Sequence, residues 1–187
     1  MAAFDPLQTL IFALTARREE RIVRAIRLEP LLPTDRTGSA VASEILRQAP
    51  NSQSVAHYVQ TVVEGQLALY SRTEAVAPWI GYLAHDVQTG ELVGSCSFIG
   101  NSSNGSVEVA YFTFPPFEGV GVATAMVREL LAVAAKAGNP ELHAFTLPEE
   151  NASTRVLQKL GFTHTGEGYD EDAGVVWRWE RPNKCPD

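Results

Sequence analysis

Val107-Glu108-Val109-Ala110-Tyr111-Phe112-Thr113-Phe114-Pro115-Pro116-Phe117-Glu118-Gly119-Val120-Gly121-Val122-Ala123 reads as a strand that passes through a short turn into a helix opened by glycine. Two prolines end the extended run, and from there Val122, Met126, Leu130, Val133 and Ala134 recur at helical spacing. The first four N–H groups of a helix have no partner inside it, and small residues beside them let a phosphate approach closely. Such a turn is an anion cradle whose natural occupant is a pyrophosphate-bearing molecule. Glycines also serve tight turns that bind nothing, so the case for function needs the rest of the chain.

Downstream, Gly138-Asn139-Pro140 stops the helix near Ala137. Residues 142–147 read as a strand and 151–160 as a helix, with Asn151 as N-cap and Val156, Leu157 and Leu160 on one face. Gly161 fits the left-handed position after that helix, and Phe162 is placed to clasp Leu157. Strands over 162–168 and 175–180 flank the acidic turn Asp170-Glu171-Asp172-Ala173-Gly174, and Val175, Trp177 and Trp179 share one strand face as core or interface packing. Upstream, 26–29 alternates as a short strand closed by Pro30 and Pro33. Val41, Ile45 and Leu46 predict a helix over 39–48, and Val55, Tyr58, Val59, Val62 and Val63 predict a second after Pro50-Asn51-Ser52. Strands at 79–85 and 92–99, with turns at 86–90 and 101–106, complete an antiparallel meander that ends in 107–114.

The 187 residues, 45% apolar, suit one buried domain. A net charge of −7 opposes the broad phosphate contact that nucleic acid binding requires. Cys96 and Cys185 suggest neither a disulfide framework nor a metal cluster, and His57, His85, His143 and His164 lack ligand spacing, so no metal is expected. A reducing, cytoplasmic setting fits. The apolar run at 7–14 precedes its basic residues, the reverse of a signal peptide, and no stretch reaches membrane-spanning length. Residues 1–23 read as an ancillary N-terminal extension; the stretch 7–26 reads either as an added amphipathic helix for self-association, with a homodimer as the expected assembly, or as an extension upstream of the true start.

This order of elements is α/β with a mixed, mostly antiparallel sheet, and its residues carry a likeness. Over about 24–181 the chain resembles the GNAT superfamily of acyl-CoA-dependent N-acyltransferases, leaving the 1–23 extension and the 182–187 tail outside. Glu118-Gly119-Val120-Gly121-Val122-Ala123 stands where that family has Gln/Arg-x-x-Gly-x-Gly/Ala. Asn151-Ala152-Ser153-Thr154-Arg155-Val156-Leu157-Gln158-Lys159-Leu160-Gly161-Phe162 resembles the ribosomal-protein acetyltransferase, RimJ/RimL-like branch.

The resemblance implies a seven-stranded GNAT sheet flanked by helices, with central strands 107–114 and 142–147 splayed around the pantetheine arm of acetyl-CoA. The pyrophosphate would sit on the amides of Gly119, Val120, Gly121, Val122 and Ala123, with Thr124 the next cofactor-binding position, and Asn151 would reach the pantetheine amides. Glu108 resembles the strand glutamate used as general base; a solvent-facing or arginine-paired carboxylate is the alternative. A backbone N–H near Tyr111 or Phe112 would meet the oxyanion. Leu157 stands where many relatives have the tyrosine that protonates the thiolate, and Ser153, which the RimJ/RimL-like branch has instead, would serve the sulfur from the helix N-terminus. Glu118 departs from the family pattern. At ~4–6 Å from a diphosphate its charge would cost on the order of a kcal/mol, so it should point away or pair. The implied function is acetyl transfer by direct attack, within a ternary complex, of a primary amine on a protein N-terminus or a small molecule. The alternative is an acyl-CoA-binding or partner-binding module of this fold with little or no turnover. Asp170–Asp172 reads as a solvated turn, and by the resemblance it lies where acceptor walls are built. Nucleotide hydrolysis is excluded because the turn lacks the Gly-Lys-Ser/Thr ending of a phosphate loop.

Overall fold

The computed structural model describes residues 25–100, 105–138 and 140–182; the expectations for 1–23, Asn139, Cys185 and most of the tail fall outside them. The chain runs through β1 (Ile26–Leu31), α1 (Gly38–Gln48), α2 (Ser52–Tyr70), β2 (Gly81–Asp86), β3 (Leu92–Ile99), β4 (Ser106–Thr113), a 3-10 turn (Pro115–Phe117), α3 (Val122–Lys136), β5 (Glu141–Thr146), α4 (Ala152–Lys159), β6 (Thr163–Asp170) and β7 (Gly174–Arg181). The strands form one sheet ordered β1-β2-β3-β4-β5-β7-β6. Every neighbouring pair is antiparallel except β4–β5.

Helices cover both faces of the sheet, so the inner strands are apolar on both sides. On β2, Tyr82 and Ala84 join the core beneath α3 and α4, while Leu83 between them joins the core beneath α1 and α2. The first core centres on Phe98, Val107, Met126, Leu130, Leu142 and Leu157, and the second on Leu31, Val55, Val59, Val63, Leu92 and Phe114. Trp179 is buried and Trp177 packs against the first core, but Val175 is 48% exposed and its neighbour Val176 is buried, so the expected face of the last strand ends before Val175.

β1 corrects a sequence expectation. It continues through Pro30, which pairs with Tyr82, to Leu31. The carbonyl of Ala25 accepts from Val87 N, so with the period of two the odd residues face β2 and the nitrogen of Pro30 faces outward. A proline on the outer side of an edge strand forfeits no ladder bond. Tyr70 seals the strand's end, its hydroxyl donating to Leu31 O at 2.8 Å and accepting from Gly81 N at 2.7 Å. Asn51 stands at the N-cap of α2 without a side-chain cap bond; its side chain instead donates to Leu92 O (2.9 Å) and accepts from Leu92 N (3.1 Å), fastening the helix start to β3.

Gly94 sets the spacing between β3 and the strand that carries the site. A Cβ there would meet Phe112 O at 2.6 Å and the Met126 thioether at 3.0 Å, backbone on one side and packed core on the other. Gly94→Ala is expected to lower stability by about 1–3 kcal/mol. Thermal denaturation checks it, with a fall of roughly 2–4 °C per kcal/mol for a chain of this size; an unchanged midpoint would contradict the spacing.

Candidate functional site

β4 and β5 pair in parallel over three residues only, Ser106↔Glu141, Val107↔Leu142 and Glu108↔His143, and then separate. Each keeps its other neighbour: β4 pairs with β3 from Glu108 to Thr113, and β5 pairs with β7 from Leu142 to Thr146. Gly105 O accepts from Glu141 N and Phe114 N donates to Val93 O, so odd residues of β4 face β5 and even residues face β3. Beyond Glu108, the main-chain groups of Val109, Tyr111 and Thr113 therefore face the gap, whereas the N–H of Phe112 faces β3. The sequence left Tyr111 and Phe112 equivalent, and this period separates them.

At the carboxyl end of the gap the chain turns through Pro115–Phe117 and enters α3. Gly119 and Gly121 hold φ of +72° and +89°, where a side chain would be strained, and a Cβ at either would point into open space. Gly121 is the N-cap and offers no side-chain oxygen to the helix. The first intrahelical bond is Ala125 N to Gly121 O, so the amides of Val122, Ala123 and Thr124 have no helical acceptor. In α4 the corresponding amides are capped. Asn151 Oδ1 accepts from Ser153 N (2.9 Å) and Thr154 N (3.1 Å), and Asn151 N donates to Thr154 Oγ1 (3.0 Å). One helix of the site thus has its donors satisfied by protein, and the other leaves them without a capping side chain.

Between the two helices lies a groove of about 540 Å³. It collects Tyr111, Phe112, Gly119, Gly121, Val122, Ala123, Thr124 and Ser153 from the expected set; Val120, Asn151 and Glu108 do not line it. Asn151 commits its oxygen to the cap, which leaves its Nδ2 as the outward-reaching part. Arg155 and Lys159, four residues apart on the outer face of α4, line the groove opposite Glu118. Sequence reasoning passed over both cations; their i, i+4 spacing beside the conspicuous Asn151 was the available signal. Two positive charges thus share the groove with the one carboxylate that departs from the family pattern. Thr113 Oγ1, also lining the groove, is buried without a hydrogen-bond partner. Bare helix amides, small residues, two cations and an orphaned hydroxyl form a donor set that fits an elongated anionic cosubstrate bearing amides and a diphosphate.

Tyr111 reaches across the opening of the sheet. Its hydroxyl donates to Ser153 O at 3.2 Å, tying β4 to the first turn of α4, and burial pushes its phenol up to about 12, so it keeps its proton. Ser153 lies in that first turn, its hydroxyl beside the groove. Leu157, in the position of the absent tyrosine, is fully buried in the core. Gly161 takes φ of +84° and Phe162 N donates to Leu157 O (3.0 Å), the expected helix stop.

Glu108 sits at the closed end of the gap, three residues or about 10 Å upstream of Tyr111. Burial raises its carboxyl above the ordinary range, Asp170 at the end of β6 raises it further, and Arg178 opposes both. Asp170 itself holds the turn by accepting from Asp172 N and Ala173 N. Among the described residues no group of His, Cys, Asp and Glu could hold a metal ion, and no helix is long and apolar enough to cross a membrane.

The family model described as an acetyltransferase (GNAT) domain matches residues 25–163. A search of curated proteins finds no match. Among solved structures, an apo crystal form of RimL, the ribosomal L7/L12 alpha-N-protein acetyltransferase, is 18% identical over 87% of this chain and 96% of that one, with a TM-score of 0.61. The ribosomal-protein-S5-alanine acetyltransferase of Vibrio fischeri is 17% identical over 84% and 92%, with a TM-score of 0.59. RimL in complex with coenzyme A is 18% identical over 84% and 93%, with a TM-score of 0.58. At such identities the likeness to these structures speaks for the fold. The family match covers well over half of the chain and meets a sheet that opens between β4 and β5 beside a glycine-capped helix; the protein belongs to the GNAT acetyltransferase family.

Proposed function

We propose that this protein transfers the acetyl group of acetyl-CoA to a primary amine, on a protein N-terminus or a small molecule, by direct attack in a ternary complex. The observation that carries the reading is the set of uncapped α3 amides opening onto a groove lined by Tyr111, Phe112 and Thr113, the part of β4 that lies beyond its pairing with β5. The names of the solved relatives, acetyltransferases of ribosomal-protein N-termini, support an amine acceptor. The RimJ/RimL-like motif at 151–162 supports the same branch.

Acetyl-CoA supplies an activated thioester; the rest falls to this chain. Val122, Ala123 and Thr124 N–H, with Arg155 and Lys159 facing them, would hold the diphosphate. Main-chain groups of Val109, Tyr111 and Thr113 would pair with the amides of the arm. The N–H of Tyr111, aimed into the gap, is the donor for the acetyl oxygen as it gains charge. Glu108 would remove a proton from the acceptor ammonium and so free its lone pair. The hydroxyl of Ser153, in the positive field of the α4 N-terminus, would hydrogen-bond the departing sulfur and pass it a proton, and the second proton that the acceptor nitrogen loses as the amide forms would restore the hydroxyl.

Release of free thiol from acetyl-CoA across a panel of amines and N-terminal peptides, run beside calorimetry with acetyl-CoA, tests the reading. Tight binding with no thiol release on any acceptor would leave the binding-module alternative. Glu108→Gln is expected to lower turnover on the true acceptor by roughly 10²–10⁴-fold with acetyl-CoA affinity unchanged. Because the folded state raises this carboxyl, its proton binds more tightly in the native protein than in the unfolded chain. The stability it contributes is present at low pH and lost as pH rises through the raised value. The same variant should therefore melt higher than wild type at pH 7–8, and not at pH 4. Gly121→Val, forced out of a φ that costs an L-residue about 1–2 kcal/mol, should weaken coenzyme A binding by roughly tenfold or more in calorimetry. Glu118→Gln should tighten that binding, and Arg155→Ala weaken it, each by roughly two- to fivefold at low salt and less at high salt; no salt dependence would remove these side chains from the diphosphate.

A further inference from the structure

We infer that His143 relays the proton that Glu108 takes from the acceptor. The two residues face each other at the last pair before β4 and β5 separate, and Ser106 holds the imidazole in place. The inference rests on the reading of Glu108 as general base.

Val107 and Leu142, the preceding pair, are buried in the core beneath α3 and α4. Their successors Glu108 and His143 therefore project together from the opposite face, on backbones about 4.8 Å apart. Ser106, two residues before Glu108, lies on that face as well, and its Oγ is 2.8 Å from His143 Nδ1. A serine hydroxyl both donates and accepts. It can serve the tautomer whose Nδ1 carries the proton, the tautomer whose Nδ1 is bare, and the imidazolium, so the ring need not turn as its charge changes. Nε2, the nitrogen that Ser106 does not occupy, is free to exchange. Phe145 flanks the ring at 5.6 Å, edge to face, and the Arg178 guanidinium lies over Phe145 at 5.9 Å.

The charged groups that act on the pair come from three elements. Glu141 lies on the ring's own strand, Arg178 and Glu180 on β7, and Asp170 at the end of β6. Arg178 Nε donates to Glu180 Oε1 at 2.7 Å. Burial acts on the two members in opposite senses, raising the carboxyl and lowering the imidazole, and Arg178 lowers both. Two groups ordinarily apart are thus brought closer in proton affinity, the condition for passing a proton between them at small cost.

In the proposed sequence the acceptor ammonium gives one proton to the Glu108 carboxylate and becomes a neutral amine. That proton then crosses, through one bridging water, to His143 Nε2, whose ring at this point carries a proton on Nδ1 bonded to Ser106 Oγ. Glu108 returns to a carboxylate, and the imidazolium releases the proton to water. No other bond forms or breaks.

The test is the pH dependence of kcat/KM with acetyl-CoA and a working acceptor. Activity needs Glu108 ionised and His143 neutral, so the acid limb of the wild-type log profile should approach a slope of 2, falling to 1 in His143→Gln with a plateau lower by roughly tenfold to a hundredfold. His143→Asn, whose amide can keep the hydrogen bond to Ser106 without a titrating nitrogen, should behave like His143→Gln; recovery of the wild-type profile would overturn the relay and leave a positioning role. Unchanged slope and plateau in both variants would also overturn it. Coenzyme A affinity, unchanged in both, reports that they fold. Independently of turnover, the His143 ring should titrate at lower pH in Glu108→Gln than in wild type by NMR, because a neighbouring carboxylate that favours its charged form is gone. If Glu108→Gln keeps full activity the reading of Glu108 fails; if it loses activity while the His143 variants do not, only the relay fails.

Discussion

The structure depends on a parallel pairing that stops after three residue pairs. Backbone donors and acceptors inside a fold are almost always paired, and an open edge within a sheet is a liability. Here the opening is tolerated because each half of the sheet is complete without it. β4 is laddered to β3 from Glu108 to Thr113 and pinned at its end by Phe114 N to Val93 O, while β5 is laddered to β7 from Leu142 to Thr146. Tyr111, bonded to Ser153 O, spans from one half to the first turn of α4 and fixes how far the halves stand apart. What remains is a slot with main-chain groups of Val109, Tyr111 and Thr113 on one side, matched to a ligand that carries amides along its length. The ligand would supply the missing ladder, and shape would be read by backbone more than by side chains.

Charge is arranged along the slot in the same spirit. The open end presents uncapped α3 amides with Arg155 and Lys159, and the closed end presents Glu108 under the influence of Asp170 and Arg178. A doubly charged diphosphate and a positively charged amine would thus be drawn to opposite ends of one opening, which orients both before any bond changes. Glu118 is the one residue against this polarity. Two cations share its groove, and the amides it sits beside belong to the backbone, so replacing it would change affinity at the margin rather than dismantle the proposed cradle.

Local signals in the sequence were enough for whatever local physics decides. Asn151 reads as a cap because its side chain has the length to bond the amides of Ser153 and Thr154, and Gly161 with Phe162 reads as a stop because only glycine takes that φ cheaply. Gly121 reads as the mouth of a cradle for the same reason. Pro30 misled because proline's effect on a strand depends on which side of the sheet its nitrogen faces, and that is known only once β1 is placed at the edge. Ser106 with His143, Tyr111 with Ser153, and Asn51 with Leu92 join residues about forty apart in the chain. No periodicity encodes such pairs; they follow from register. Arg155 and Lys159 fall between these cases, since the helix put them on one face and only the position of α4 made that face a wall of the groove.

The choice between Tyr111 and Phe112 shows how register carries chemistry. Both are large aromatic residues in one strand, and nothing in their composition distinguishes them. Two distant hydrogen bonds, Glu141 N to Gly105 O and Phe114 N to Val93 O, set the alternation of the strand between them, and alternation assigns the N–H of Phe112 to β3 and that of Tyr111 to the slot. The same alternation sends the Glu108 side chain to the face away from α3 and α4, beside His143, while its main-chain groups stay laddered to β3. A one-residue slip of β4 would reverse both assignments at once, burying the carboxylate in the core beneath α3 and turning the proposed oxyanion donor away. The tight contact of Gly94 with Phe112 O and Met126 opposes that slip, because only a residue without a side chain lets β4 lie at this depth. The chemistry proposed for the slot would therefore rest on a glycine in a neighbouring strand, outside the residues that line the groove.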